Sequence, residues 1–212
     1  MPMDDLAIDA QHLARRFGRR WALVDVTFQL RRGSVLMLAG RNGSGKTTLL
    51  RVLVTLLRPD IGRAKVAGLD VAKEREALRR KIALLSHSSY LYESLTAREN
   101  LDLIARFCGG GDPDPLLERV GLASRANDVV ATFSAGMRKR LSFARVLLQQ
   151  PEIVFLDEPY GQLDPEGFQL VDEVIGELKQ RGTTIVVATH QVEHVVRYAD
   201  ERIALDAGRI AA

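Results

Sequence analysis

The sequence predicts an α/β fold in which a mainly parallel sheet is covered by helices on both faces. Short apolar runs such as S-V-L-M-L-A, E-I-V-F-L-D and T-T-I-V-V-A-T recur along the chain, and helical segments separate them. This arrangement is typical of parallel strands that are buried on both sides. The length of 212 residues suits a single domain of this class.

The composition excludes several other classes of protein. The 30 Lys and Arg residues exceed the 27 Asp and Glu residues by three, which is too small an excess to indicate a nucleic-acid partner. The single cysteine excludes an internal disulfide and fits a reducing compartment. No apolar run approaches the roughly 18 residues of a membrane-spanning helix, and the N-terminus lacks a signal-peptide pattern. We therefore expect a cytoplasmic protein that reaches a membrane only through a partner.

The first third of the chain predicts an antiparallel sheet followed by the start of the parallel core. V-D-V-T-F-Q-L at 24–30 alternates apolar and polar residues, so it indicates a half-buried strand that pairs with Ile8–Phe17. The run at 34–39 indicates a buried strand. A glycine-rich turn and a helix from Lys46 to about Leu57 are predicted to follow it.

The remaining core strands are predicted at 82–86, 152–157 and 183–189, with a closing hairpin over 202–210 that turns at Asp206–Gly208. Between His87 and Gln150 the periodicity is helical and no strand is indicated, although C-G-G-G-D-P-D-P at 108–115 predicts a flexible loop. We therefore expect a core formed by 1–87 and 151–212, with a helical subdomain inserted at 88–150.

G-R-N-G-S-G-K-T at 40–47 matches the phosphate-loop pattern and lies between a predicted strand and a predicted helix, as the motif requires. A chance glycine-rich turn is the alternative, and the flanking elements argue against it. Lys46 would supply charge to the β- and γ-phosphates of ATP, and the Thr47 hydroxyl would ligate Mg²⁺. The predicted ATP-binding residues of this segment are Gly40, Arg41, Asn42, Gly43, Ser44, Gly45, Lys46, Thr47 and Thr48.

L-D-E-P at 156–159 closes a predicted buried strand. A carboxylate at the carboxyl end of such a strand points into the ligand crevice of an α/β sheet. Asp157 would complete the Mg²⁺ shell, and Glu158 would be the base that orients the attacking water. A solvated pair of acids at a strand end is the weaker alternative.

The segment F-S-A-G-M at 133–137 precedes a basic, helix-forming stretch that carries Arg138, Lys139, Arg140 and Arg145. Small residues with free backbone N–H groups at a helix start favour anion binding. The segment is far in sequence from the phosphate loop, so the residues alone do not say which anion it meets.

In their order, these motifs resemble the ATP-binding-cassette (ABC) transporter ATPases over essentially the whole chain. The resemblance implies a P-loop NTPase core with an N-terminal antiparallel β-subdomain and an inserted α-helical subdomain. It also implies that Phe17, in R-R-F-G, stacks on adenine, and that His190, in A-T-H-Q, contacts the γ-phosphate as a catalytic residue beside Glu158.

The same resemblance answers the question of the anion. F-S-A-G-M is similar to the family signature, usually Leu-Ser-Gly-Gly-Gln, which caps the ATP held by a second cassette in a head-to-tail dimer. This implies that Ser134, Ala135, Gly136 and Met137 act on a partner's ATP. Ala135 replaces a glycine, so its backbone is expected to avoid positive φ. G-Q-L-D at 161–164 is similar to the inter-subunit loop and assigns Leu163 and Asp164 to it.

His87 stands where the family usually has a glutamine that senses Mg²⁺ and the transporter. Imidazole can ligate a metal and, unlike an amide, it titrates, so His87 is a further candidate metal ligand. A surface histidine without a function is the alternative.

The resemblance implies the ATP-hydrolysing subunit of a membrane transporter, with ATP and Mg²⁺ as cofactors. Its expected partners are a second copy of the chain or a homologous cassette, and integral membrane subunits on the inner face of the cell membrane. The S-H-S segment around His87 and the pair His190–Gln191 add a similarity to the haem-exporter ATPase of cytochrome c maturation. Drug, lipid or other export systems are the alternative. A soluble cassette protein of translation or repair, and a module that binds nucleotide without turnover, are less favoured.

Overall fold

The structure, a computed structural model, describes residues 5–86 and 88–211. Within these residues the strands are β1 Leu6–Phe17, β2 Arg20–Arg31, β3 Val35–Ala39, β4 Ile61–Val66, β5 Leu69–Asp70, β6 Ile82–Leu85, β7 Ile153–Asp157, β8 Thr184–Thr189, β9 Glu201–Asp206 and β10 Arg209–Ile210. The helices are α1 Lys46–Leu53, α2 Arg75–Arg79, α3 Ala97–Cys108, α4 Pro113–Arg119, α5 Ala135–Gln149, α6 Pro165–Gln180 and α7 Val192–Val195.

The larger sheet has the strand order β10-β9-β3-β8-β7-β6, and all of its pairs are parallel except the closing hairpin of β9 and β10. Because β3, β8 and β7 are neighbours, their carboxyl ends lie side by side. The phosphate loop follows β3, Asp157 ends β7 and Thr189 ends β8. The topology therefore brings these three segments to one edge of the sheet, where α/β proteins bind their ligands.

The smaller sheet is antiparallel, with the order β2-β1-β4-β5, as the N-terminal alternation predicts. Its apolar face packs on α1 and on one face of the larger sheet. Leu36 and Leu38 of β3 belong to this core together with Leu49 of α1. The first helix is thus held between two sheets, and this fixes the phosphate loop that precedes it.

The opposite face of the larger sheet is covered by helices. Val35 and Met37, which alternate with Leu36 and Leu38 along β3, pack in a second core with residues of α3, α5 and α6. No helix in the described part of the chain is both long and apolar enough to cross a membrane.

Two predicted boundaries were wrong. Helix α1 ends at Leu53 rather than near Leu57, because the chain turns at Thr55, whose φ is 67°. The predicted loop at 108–115 is shorter, since α3 continues to Cys108 and α4 begins at Pro113. Proline suits the first turn of a helix, and the Asp112 side chain caps that turn by accepting from the Asp114 N–H.

Candidate nucleotide site

The phosphate loop has a backbone that requires glycine. Gly40 has a φ of 150°, and a Cβ at this position would lie 2.4 Å from the Leu205 carbonyl oxygen. Gly45 has a φ of 112°, and a Cβ there would lie 2.6 Å from the Ala22 oxygen. These contacts explain why the loop can only close between β2 and β9 with glycine at both positions.

Lys46 begins helix α1 and is only 6% exposed. Its Nζ donates to the carbonyl oxygens of Gly40 at 2.6 Å and Arg41 at 3.3 Å, and it lies 3.7 Å from Glu158 Oε1. The loop thus curls around its own ammonium group. This places a positive charge at a helix N-terminus, which is a favourable position for a phosphate.

The side chains of Thr47 and Asp157 meet, with Thr47 Oγ1 donating to Asp157 Oδ1 at 3.2 Å. Burial raises the pKa of Asp157, and the hydrogen bond from Thr47 opposes that shift. A hydroxyl and a carboxylate are suitable ligands for Mg²⁺, which usually binds one or two protein groups and completes its shell with water and substrate phosphates. The described residues contain no cluster of three or more His, Cys, Asp or Glu side chains that could hold a metal ion.

Glu158 is held in an uncommon conformation beside these groups. Its φ is 48°, and its N–H donates to the Ala188 carbonyl at 2.8 Å. Its Oε2 accepts from Thr189 Oγ1 at 3.2 Å and lies 2.9 Å from His190 Nδ1. The structure therefore brings both predicted catalytic side chains into direct contact, at the ends of two adjacent strands.

An open cleft of about 650 Å³ lies over the phosphate loop. Its walls include the predicted aromatic Phe17, which is 49% exposed, together with Lys46, Thr47 and Glu158. Ser44 Oγ is buried in the loop and has no hydrogen-bond partner among the described residues, so its hydroxyl is available to donate to a ligand. A half-exposed aromatic ring and a loop of N–H and hydroxyl donors fit a nucleotide with a phosphate tail.

The predicted signature lies at the start of α5. Ser134 caps this helix, with its Oγ accepting from the Met137 N–H at 3.2 Å. Ala135 is the first helical residue, so the expectation that its backbone avoids positive φ is confirmed. Ser134 and Ala135 are exposed, and no residue of the segment is among those lining the cleft. The structure thus does not bring the signature to the phosphate loop of its own chain.

The basic residues that follow the signature bind groups of their own chain. Arg138 donates to the Phe133 carbonyl, Lys139 to the Glu158 carbonyl, Arg140 to Asp164 and Arg145 to the Leu84 carbonyl. Any anion at this helix must therefore be met mainly by the hydroxyl and the backbone N–H groups.

The predicted inter-subunit residues are also engaged within the chain. Asp164 caps α6, with its Oδ1 accepting from the Gly167 N–H at 2.7 Å and from Arg140 at 3.0 Å. The hydrogen bond from Gly167 contributes most to lowering the pKa of Asp164. Leu163 is partly buried against the helical core. Their role toward a second subunit stays a prediction.

Comparison with known proteins decides the family. The sequence profile described as ABC transporter matches residues 23–161. The chain belongs to the ABC transporter family. It is 42% identical over 216 residues to the daunorubicin resistance ATP-binding protein DrrA3 of Streptomyces coeruleorubidus, covering 99% of this chain and 68% of that protein. It is 33% identical to the Nod factor export ATP-binding protein I of Rhizobium johnstonii, covering 98% of this chain and 68% of the relative. This ABC chain thus spans about two thirds of the length of these relatives.

Solved structures support the same assignment. A structure described as the ATP binding subunit of an ABC transporter superposes with a TM-score of 0.90 at 31% identity, covering 97% of this chain and 88% of the other. The ATP-binding cassette MJ0796, described as a dimer in a post-hydrolysis state bound to ADP and Pi, superposes with a TM-score of 0.87 at 25% identity, covering 97% of both chains. The predicted ABC ATPase fold is confirmed, and the chain is an ATP-binding and ATP-hydrolysing domain of this family.

The prediction of haem as cargo gains no support from these ABC relatives, whose names refer to drug resistance and Nod factor export. The alternative of drug or other export fits them better. His87, on which the haem similarity partly rested, lies outside the described residues. Its expected position in the metal shell stays a prediction for this ABC ATPase.

Sequence reasoning missed several residues of the ABC site. Arg20 and Trp21 line the cleft from β2, and Ala207 and Gly208 line it from the closing hairpin. Arg20 and Trp21 could have been found from the sequence, because a tight turn between β1 and β2 pairs Phe17 with Arg20 and places both side chains near the Phe17 ring. The hairpin residues gave no comparable signal, since only the fold brings Gly208 within 2.9 Å of the Ser44 carbonyl.

Proposed function

We propose that this chain is the ATPase subunit of an ABC exporter and that it works as a head-to-tail dimer attached to integral membrane subunits on the inner face of the cell membrane. The observation that carries the proposal is the convergence of Lys46, Thr47 with Asp157, and Glu158 with His190 at the ends of three adjacent strands. These are the groups that phosphoryl transfer to water requires in one place.

ATP would bind along the cleft. The half-exposed ring of Phe17 would stack on the adenine base, and the N–H groups of the loop 40–48 would surround the phosphates. Lys46 would exchange its contacts with the loop carbonyls for phosphate oxygens, and Ser44 would gain the partner that it lacks within the described chain. Thr47 and Asp157 would hold Mg²⁺, which supplies positive charge to the phosphate oxygens when bound.

Glu158 is the base of the reaction. Its carboxylate accepts a proton from a water molecule whose oxygen forms the new bond to the γ-phosphorus, and the bond from that phosphorus to the ADP oxygen breaks. Thr189 and His190 orient the carboxylate through the contacts at 3.2 and 2.9 Å to Oε2. Because these partners bind one carboxylate oxygen, Oε1 remains directed toward Lys46.

The signature would complete the site of a second subunit. Ser134 and Ala135 are exposed at the N-terminus of α5, a position that favours a phosphate. Leu163 and Asp164, next to it through the contact of Arg140 with Asp164, would lie at the same interface. The likeness to a cassette described as dimeric supports this arrangement.

The cargo we infer is an amphipathic natural product of the kind that export systems remove. The support comes from relatives named for resistance to daunorubicin, doxorubicin and linearmycin. The membrane subunits would select the cargo. In vesicles that contain those subunits with the chain, daunorubicin should stimulate ATP hydrolysis and haem should not. Stimulation by haem alone would restore the haem hypothesis.

The test of the ATPase mechanism is the variant Glu158→Gln, which keeps the shape of the side chain and removes the base. We expect it to bind ATP, to lose nearly all turnover, and to elute as a dimer in gel filtration with ATP and Mg²⁺. Glu152→Gln is the matched control, because Glu152 precedes the opposite end of the same strand β7 and is exposed. Wild-type turnover by Glu158→Gln, or a monomer at saturating ATP, contradicts the proposal.

A further inference from the structure

Lys139 is a buried cation behind the site. It lies on α5 and is 7% exposed, on the same face as Ser142, Phe143 and Val146, which all point into the core. Its Nζ donates to the backbone carbonyl of Glu158 at 3.0 Å. Lys139 therefore lies on the buried face of α5, and its ammonium group contacts the residue that we propose as the base.

Keeping an ammonium group at this position is unfavourable for folding. Burial lowers the pKa of Lys139 to about 8, although the nearby charges of Asp157 and Glu158 oppose that shift. An apolar side chain of similar length would fill the same space without desolvating a charge. Packing alone therefore does not explain a lysine at this position, whereas the hydrogen bond to the Glu158 carbonyl does.

The backbone of Glu158 needs support. For a residue with a Cβ, a φ of 48° lies in the left-handed region, which is sterically unfavourable. The peptide groups on both sides of this strained residue are held. Its N–H donates to the Ala188 carbonyl at 2.8 Å, and its carbonyl accepts from Lys139 Nζ and, at 3.2 Å, from the Gly161 N–H. The direction of the carboxylate depends on this backbone.

Helix α5 links two parts of the molecule through this contact. Its first turn is the signature, beginning after Ser134, and Lys139 lies in the next turn. A polar recess of about 190 Å³ lies around Lys139. It is lined by Ser86, which follows β6, by Ala135 of the signature and by Gln162 of the loop before α6. A shift of α5 against β7 would therefore act directly on the Glu158 carbonyl.

We propose that Lys139 is a positioning residue. By holding the Glu158 carbonyl, it makes the direction of the Glu158 carboxylate depend on the position of helix α5. The inference rests on the proposed function, because it takes Glu158 as the base. Lys139 is not among the residues that line the cleft over the phosphate loop, so it would act through Glu158 and not on ATP itself.

The test is Lys139→Met, which keeps the length of the side chain and removes the donor. Arg145→Met is the matched control, since Arg145 also lies on α5 and also donates to a backbone carbonyl of the core, that of Leu84 at 2.6 Å. We expect Lys139→Met to lower kcat by about tenfold or more while KM for ATP changes less than about threefold, since binding does not use the base. Arg145→Met should keep kcat within about threefold of the wild type.

The second measurement places Lys139→Met in the Glu158→Gln background, with hydrolysis followed in single turnovers. If Lys139 acts through Glu158, the double variant should be slower than Glu158→Gln by less than about twofold. Thermal unfolding verifies that each variant is folded. Should Lys139→Met not fold, Lys139→Gln replaces it, with the same expected loss because the shorter amide does not reach the carbonyl.

Three results would overturn the inference. They are an unchanged kcat in Lys139→Met, a loss no larger than that of Arg145→Met, and a full additional loss in the Glu158→Gln background. The first two, obtained while Glu158→Gln is inactive, leave the proposed function intact. Wild-type turnover by Glu158→Gln would instead remove the proposed base, and with it the role of Lys139.

Discussion

The starts of helices α1 and α5 are both suited to phosphate, yet they differ in what surrounds them. Helix α1 begins at Lys46 after a glycine in the left-handed region, and Asp157 and Glu158 of the same chain lie against its first turn. Helix α5 begins after Ser134, which is exposed and caps its own helix. The first site contains a cation, the pair that we propose to hold Mg²⁺ and the proposed base, whereas the second offers backbone N–H groups and a hydroxyl.

The difference fits our proposal that the second helix start completes the site of another chain. Its neighbouring cations are directed to carbonyls or to Asp164 within the chain, so they organise α5 rather than the ligand. Without nearby cations, a helix N-terminus attracts an anion only modestly, by about 0.3–1 kcal/mol at an exposed position. It becomes effective when a phosphate is already held by a partner.

The largest effect is expected at the first helix start. Lys46→Ala removes a charge-assisted bond to the phosphates, which should weaken ATP binding by about 1.5–3 kcal/mol, or roughly ten- to a hundred-fold, and abolish most turnover. Titration calorimetry with ATP and a phosphate-release assay measure both. Lys65→Ala, an exposed lysine on β4, is the control. If Lys46→Ala hydrolyses ATP at the wild-type rate, the phosphate-loop assignment fails.

A smaller effect is expected at the second helix start. Ser134→Ala removes the cap of α5 and should lower the free energy of unfolding by about 1 kcal/mol. It should also weaken ATP-dependent dimerisation in the Glu158→Gln background without changing ATP binding by the monomer. Thr96→Ala is matched to it, because Thr96 caps α3 by accepting from the Glu99 N–H. If Ser134→Ala and Thr96→Ala are equally destabilised and dimerise equally well with ATP, Ser134 has no role at the second helix start beyond capping α5.

The smallest effect concerns an ion pair away from both helix starts. Glu177 accepts from Arg119 and also pairs with Arg181, and the bond from Arg119 contributes most to holding the pKa of Glu177 below its ordinary value of 4.5. Because the pKa is lowered in the folded state, the stabilisation is complete above pH 4.5 and is lost as the pH falls further. Urea unfolding of Arg119→Met should show a loss of stability at pH 7 that diminishes below pH 4.5, with ATP binding unchanged at pH 7. A loss that is independent of pH would contradict this.

The sequence predicts most of the first site because its parts are local. The glycines, Lys46 and Thr47 lie within eight residues, and Asp157 and Glu158 end one strand, so pattern and strand position suffice. The helix boundary at Leu53 was missed because Thr55 adopts a left-handed turn that only the packed structure supports. The periodicity of α5 did contain a signal for Lys139, since Ser142, Phe143 and Val146 share its face, but a run of cations is read more easily as a solvated surface.

The relation between the two helix starts was not in the residues alone. The resemblance to the ABC family implied that Ser134 acts on a partner. The structure of one chain adds that Ser134 and Ala135 are exposed and that no residue of the signature lines the cleft of its own chain. We therefore propose that one working site takes its phosphate loop from one chain and its signature from the other.

Mixing two defective variants tests this claim most directly. Lys46→Ala inactivates the phosphate loop of the chain that carries it, and Ser134→Arg sterically blocks the signature of the chain that carries it. Each homodimer therefore lacks a working site. In the mixed dimer, the intact loop of the Ser134→Arg chain faces the intact signature of the Lys46→Ala chain. Random pairing makes about half of the dimers mixed, each with one intact site.

We predict that mixing restores ATP-dependent dimerisation and part of the phosphate release, while each variant alone shows neither. Thermal unfolding of the separate variants verifies that both are folded. If the mixture of two folded variants recovers neither dimerisation nor phosphate release, the signature does not act on a partner's ATP, and the head-to-tail account of this protein is wrong.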